Sequence, residues 1–161
     1  MKRIKKIGLL IFVGVLLIGC GPTKINANKK LMCYLTSEMD NQKYRSDVVI
    51  TFNSDGNKVV EGIFTTKYSN LEKTNSNNDI LADLINRQSK VEQIEGVAVT
   101  LDVSDTSFNY EEKWSYQDVE IKEAVEADEN QLMFIDNREY SIDLIKDYYT
   151  KKGYSCDISK L

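Results

Sequence analysis

Acid–base chemistry needs paired carboxylates, and the chain carries two adjacent sets, Glu111 with Glu112 and Asp128 with Glu129. Successive side chains on a strand point to opposite faces, so neither set is a ready acid/base couple. Both read as solvated charge. The 161 residues contain no histidine, so the usual general base and triad orienter are missing. No GxSxG elbow or P-loop pattern occurs. Asn53 to Asn57, with Glu61 beyond, has the composition of a calcium loop, but its glycine, Gly56, is fourth rather than sixth. A hairpin turn accounts for the same residues. No catalytic residue, metal or cofactor is therefore assigned. The stretch with most recognition chemistry is Phe108 to Glu129. Phe108, Tyr110, Trp114 and Tyr116 share even spacing and would line one face of a continuous strand. Either that face covers the core, or it forms an open aromatic platform beside the acids that follow. In the second reading Tyr110, Trp114, Tyr116, Glu120, Glu123 and Glu126 form a recognition surface for a small cationic or sugar-like ligand, or for an envelope protein.

Three cysteines are present, Cys20, Cys33 and Cys156. There is no CxxC and no histidine, so a metal or redox site is a poor reading. Cys33 and Cys156 stand near the two ends of the chain that follows Cys20. Outside the cytoplasm such a pair suggests a disulfide; buried free thiols are the alternative.

The N-terminus gives the context. Lys2, Arg3, Lys5 and Lys6 form a positive head, and Ile7 to Ile18 is apolar apart from two glycines. At about 1.5 Å per helical residue that run is too short to cross a hydrocarbon core of about 30 Å. It has the layout of a secretory signal. The run closes on Leu17–Ile18–Gly19–Cys20, which resembles the lipobox of bacterial lipoproteins. The resemblance implies attachment of a diacylglycerol to the Cys20 sulfur, with palmitate among the acyl chains, cleavage just before Cys20, and display on the extracytoplasmic face of the bacterial cell membrane. Residues 1–19 are then a signal peptide, 20–30 a lipidated tether and 31–161 a single domain. Four basic residues leave with the leader, taking the formal charge from −4 to −8. A chain this acidic is a poor partner for nucleic acid phosphates.

Hydrophobic periodicity supplies the elements. Leu31 to Thr36 fits a first strand, and in Asp47 to Asn53 the residues Val48, Ile50 and Phe52 fall on one face and Asp47, Thr51 and Asn53 on the other, with Val49 the exception. Asp55–Gly56 then signals a hairpin returning through Lys58 to Tyr68, with Gly62 expected at a bulge. Ile80, Leu81, Leu84, Ile85 and Val91 predict a helix over 79–94, capped by Asn77 or Asn78 and ended by Gly96. Val97 to Val103 is the cleanest strand, and Tyr110 to Ile121 is expected to pair with it. The acidic segment Asp118 to Asn130 reads as loop. Ser141 caps a last helix that Gly153 stops, and the tail brings Cys156 back to the sheet. The predicted fold class is α+β, an antiparallel β-sheet with two helices packed on one face.

Residues 96–121, GVAVTLDVSDTSFNYEEKWSYQDVEI, resemble the YehR-like bacterial lipoproteins, small lipoproteins of uncharacterised function, in opening a strand with Gly-Val after an amphipathic helix. KKGYSC near the end resembles the closing helix and glycine of that family. The likeness implies the α+β fold and the lipid anchor, and carries over no catalytic residue. The expected role is a non-enzymatic binding or accessory function in the cell envelope. The alternative is a small carboxylate-dependent hydrolase acting on an envelope substrate.

Overall fold

A computed structural model describes residues 24–54, 58–72 and 75–161. Cys20, the leader and the Asp55–Gly56–Asn57 turn lie outside the described residues. Six antiparallel strands form the main sheet: β1 (Lys29–Met39), β2 (Gln42–Phe52), β3 (Val59–Ser69), β4 (Val97–Val103), β5 (Ser107–Ser115) and, near the C-terminus, β8 (Ser155–Lys160). Their order is β4-β5-β3-β2-β1-β8. A two-stranded hairpin, β6 (Ile135–Asp136) and β7 (Glu139–Tyr140), lies outside that sheet. The helices are α1 (Asn75–Val91), α2 (Ile121–Ala127) and α3 (Ile142–Lys151), with a 3-10 turn at Glu129–Phe134. The α+β fold is thus the one read from the sequence.

Alternation explains which side of the sheet is covered. Leu31 and Cys33 of β1, Val48, Ile50 and Phe52 of β2, and Tyr110 and Trp114 of β5 are all buried. The register sets Cys33, Val48, Phe64, Glu112 and Val99 in one row across the strands. The opposite face carries charged rows such as Arg45–Lys67–Asn109. It also holds the ion pairs Arg45–Asp47 at 2.6 Å and Lys113–Glu61 at 3.1 Å. One dry face and one wet face is the usual economy of an antiparallel sheet.

Several local expectations need correction. Gly62 is not at the bulge; the register shifts between Thr51 and Phe52, which pair with Glu61 and Val59 and leave Val60 as the extra residue. Gly62 instead makes room for rings. A Cβ there would lie 2.8 Å from Tyr116 Cε2 and 2.9 Å from Phe64 Cε2. Helix α1 starts at Asn75, so Asn77 and Asn78 are inside its first turn rather than at its cap. The acidic segment is not a loop but α2 followed by the 3-10 turn. Ile25 and Asn28, expected in a solvated tether, are bonded to the domain. The Ile25 amide donates to Gln117 Oε1 at 2.7 Å, and Asn28 N–H donates to Phe52 O at 3.1 Å.

The ends of α3 behave as read. Ser141 Oγ accepts from Leu144 N–H at 3.4 Å. Gly153 has φ +90°, a left-handed value that suits glycine. The Tyr154 amide donates to Tyr149 O, and that of Gly153 to Thr150 O, which closes the helix in a Schellman motif. The chain then re-enters the sheet as β8, where Cys156 stands opposite Cys33, and the two are joined by a disulfide.

Candidate functional site

The inward row of β5 is apolar except at one position. Phe108, Tyr110 and Trp114 bracket Glu112, a carboxylate only 4% exposed. An isolated ion at such depth is costly, so the group must be paired and hydrogen-bonded. Arg87 of α1 supplies the pairing. Its Nε donates to Glu112 Oε1 at 2.6 Å and its Nη2 to Oε2 at 3.0 Å, a bidentate fork. The Tyr110 hydroxyl donates to Oε1 and the Trp114 indole N–H to Oε2, both at 2.8 Å. Each carboxylate oxygen thus accepts twice. The third guanidinium nitrogen, Nη1, reaches Asp128 Oδ2 at 2.9 Å. The Asp128 Oδ1 atom in turn accepts from the backbone N–H of Asn130 and so caps the 3-10 turn.

This cluster forms part of the lining of a cleft of about 200 Å³ enclosed by the sheet, α1, the 3-10 turn and the C-terminal part of α3. Phe64, Phe134, Tyr148, Tyr149 and Tyr154 contribute aromatic walls. Their rings stabilise one another edge to face, Phe134 with Tyr148 and Tyr149 with Tyr154 each at 5.0 Å between centroids. Ser46 and Gln131 add polar groups. Ser46 Oγ accepts from the Tyr154 hydroxyl at 2.9 Å. Gln131 is buried, and its Oε1 has no hydrogen-bond partner. Such an acceptor costs about 1–3 kcal/mol when left unpaired.

Burial pushes the tyrosine hydroxyls of this region up. Tyr110 and Tyr149 rise far above the ordinary value, chiefly by desolvation and then by neighbouring acidic groups, Glu112 for Tyr110 and Tyr154 for Tyr149. Tyr116 also rises well above it, and Tyr140 and Tyr154 are pushed up to about 12. Burial alone would lower Arg87, but the hydrogen bonds and charge of Glu112 reverse that, and the guanidinium is held firmly cationic. Raised hydroxyls contribute stability that is complete below the unfolded tyrosine value near 10 and is lost as pH climbs through the folded values. Stability is therefore expected to fall steeply between pH 10 and 12. The tyrosinate absorbance of these buried hydroxyls at 295 nm should rise in a cooperative step together with loss of ellipticity. Their gradual ionisation in a folded chain would contradict this.

The residues singled out in the sequence separate. Tyr110, Trp114 and Tyr116 are buried and do not form an open platform; packing against the helices dries that face. Only the Tyr110 ring contributes to the cleft. Glu120, Glu123 and Glu126 point to solvent at α2, with Glu126 3.7 Å from Lys122. Glu111 and Glu112 do face opposite sides, yet Glu112 is not solvated charge. Asp128 is likewise engaged. Glu61 pairs with Lys113, and Asn53 closes the β2–β3 connection through its backbone, which does not assemble a calcium loop from the described residues. Among the described residues no group of acids or cysteines is placed to hold a metal ion. No helix there is long and apolar enough to cross a membrane.

Arg87 and Gln131 were not singled out in the sequence. A signal existed for Arg87, which lies on the stripe of Ile80, Leu84 and Val91. Glu112 likewise interrupts an even-spaced aromatic row. Gln131 gave no signal, because the 3-10 turn that buries it lacks a periodic pattern.

The family described as Domain of unknown function (DUF8824) matches residues 21–161. No curated protein matches in sequence. Two solved structures share the fold. One is the NMR structure of a protein from Streptococcus pneumoniae TIGR4, 12% identical, with TM-score 0.52 over 98% of this chain and 99% of that one. The other is the NMR structure of the E. coli YehR protein, 14% identical, with TM-score 0.53 over 80% of this chain and 91% of that one. At these identities the likeness concerns architecture, and function must be argued from the site.

Proposed function

We propose that this chain, which belongs to the DUF8824 family, is a non-enzymatic binding component of the bacterial cell envelope. A lipid on Cys20 holds it at the extracytoplasmic face of the cell membrane, and the cleft over Arg87 and Glu112 receives a small ligand. One observation carries the binding reading: an aromatic-walled cleft lined on one side by the paired Arg87, Glu112 and Asp128. Ligand sites typically combine apolar walls with a few fixed polar groups. Catalysis by Glu112 is disfavoured on chemical grounds. Both its oxygens already accept two hydrogen bonds, so proton abstraction would break the set that keeps it buried.

The anchoring reading rests on the lipobox-like Leu17–Cys20. Five Cα–Cα steps lead from Cys20 to Ile25, a reach of at most about 18 Å. Ile25 is bonded to Gln117, beyond the end of the sheet marked by Phe52. That end would face the bilayer, with the cleft further along β2 toward Tyr44 and Ser46. Glu126 and Glu129 share a shallow depression with Asp128 on the flank of the cleft. Their field would favour cationic ligands.

Two measurements test this reading. Cys20→Ala should abolish lipid labelling and leave an uncleaved precursor. Lipid labelling that persists in this variant sinks the anchor. For the cleft, Trp114 is the single tryptophan; it lies behind the lining and donates to Glu112, which does line it, so its fluorescence reports occupancy through that carboxylate. A collection of small polar compounds should yield at least one that saturates this signal in the full chain.

A further inference from the structure

We propose that the open edge of the sheet at β4 pairs with β4 of a second copy of this chain, antiparallel about a two-fold axis through Thr100, so that the two sheets become one. The proposal rests on neither the cleft nor the anchor. β4 ends the sheet. An unpaired edge is a template for another strand, and such edges are normally blunted by lysine, proline or an inward-pointing charge. β4 reads VAVTLDV and carries none of these. Its one charge, Asp102, stands opposite Asn109 on the wet face. The other edge strand, β8, is protected by Asp157 and Lys160.

Backbone phase fixes the register. Ser115 N–H donates to Gly96 O at 2.7 Å and Ser104 N–H to Ser107 O at 2.9 Å. Between those points Ala98, Thr100 and Asp102 therefore turn their amides and carbonyls to β5, and Val99, Leu101 and Val103 turn theirs to the open side. Val97 turns outward too, with its N–H held by Ile94 O at 3.1 Å and its carbonyl facing the edge. Centring the axis on Thr100 pairs Val99 with Leu101 and Val97 with Val103 of the second copy. That register engages all four outward-turned residues. Thr100 then meets Thr100 as a non-hydrogen-bonded pair, and Asp102 falls opposite Ala98, so no like charges face each other.

Helix α1 adds an apolar contact above the same axis. Asp83, Asn86 and Lys90 face α2 and the 3-10 turn across a shallow depression. Leu81 and Ile85 lie on the opposite flank of the helix, over the open edge. Arg87 reaches Glu112, which stands opposite Val99. At about 1.5 Å per helix residue and about 3.3 Å per strand residue, Ile85 is then level with Thr100. Ile85 is 48% exposed and Val103 53%. In the pair, Ile85 of each copy meets its equivalent, and Val103 is covered by Val97. A contact one strand and one helix wide is at the small end of specific interfaces, about 1,200 Å² in total, so association should be micromolar. The axis is normal to the sheet, so the two tethers leave from opposite ends of the paired strands. Both lipids reach one bilayer when the joined sheet lies along the membrane, whereas a lone copy stands on its tethered end.

Sedimentation velocity of the full chain in a density-matched detergent should show a monomer–dimer equilibrium across micromolar concentrations. Thr100 is exposed, so Thr100→Lys and Thr100→Glu should each keep the ellipticity of the parent. Each should weaken association by about tenfold or more, because like charges then meet on the axis. Mixing the two variants should restore the dimer. Thr100→Cys should link two copies by a disulfide on mild oxidation. Ala98→Cys alone should not, but it should link to Asp102→Cys when the two are mixed. A chain that stays monomeric at every concentration overturns the proposal. So does a dimer that both charged variants leave intact, which would place the contact elsewhere, and so does Ala98→Cys linking to itself, which would set another register. Thr100→Cys that links in whole cells to a different protein, and never to a second copy, would give the edge to another partner and overturn self-pairing.

Discussion

Glu112→Ala is expected to destabilise the protein by about 3–5 kcal/mol, the usual cost of breaking a buried ion pair by removing one partner. Domains are stable by about 5–15 kcal/mol in all, so the variant should be near the limit of folding at 37 °C. The reason is the number of groups left behind. Two guanidinium nitrogens, the Tyr110 hydroxyl and the Trp114 indole N–H all lose their acceptor at once. Arg87 would keep only Asp128. Urea unfolding followed by far-ultraviolet ellipticity measures the loss, and the emission of Trp114 should shift in the folded fraction. Arg87→Met combined with Glu112→Leu should recover much of the stability, because removing both charges also removes the need for solvation. A loss under about 1 kcal/mol in Glu112→Ala would mean that water readily replaces the carboxylate and that the cluster does not organise the cleft.

Replacing Cys33 and Cys156 together by alanine should cost about 4–5 kcal/mol by chain-entropy arithmetic, since the bond spans a sequence separation of 123. For a chain of this size that corresponds to a fall in Tm of about 10–15 °C. The location sharpens the expectation. β8 is an edge strand that pairs with β1 alone, and the bond sits inside that pairing, at Cys33 opposite Cys156. Without it β8 should open locally before the rest of the sheet. Hydrogen exchange at Ser155–Lys160 should then rise well ahead of exchange in β2 and β3. Equal protection in the oxidised and substituted chains, with an unchanged Tm, would show that the backbone pairing of β8 with β1 already holds the strand.

Much of the architecture is legible without coordinates, and the legible parts share a cause. Val48, Ile50 and Phe52 recur at every second position, and a strand has a period of two, so their common burial follows from local geometry alone. Ser141 and Gly153 end α3 through short-range bonds that span three to five positions. The cysteine pair was legible because few pairings were possible. What only the tertiary structure decided depends on segments distant in sequence. Alternation places Glu112 on the inward face but does not say what meets it there. Arg87, 25 residues earlier, arrives because α1 packs against the sheet, and Asp128 because the 3-10 turn closes over its end. The same packing turned a proposed aromatic platform into core and made Gly62 a gap for the Tyr116 and Phe64 rings rather than a bulge. A period is a property of neighbours along the chain, whereas desolvation depends on what packs above a residue. The strands could therefore be read from the sequence, while the charge cluster and cleft emerged only when the helices were laid across them.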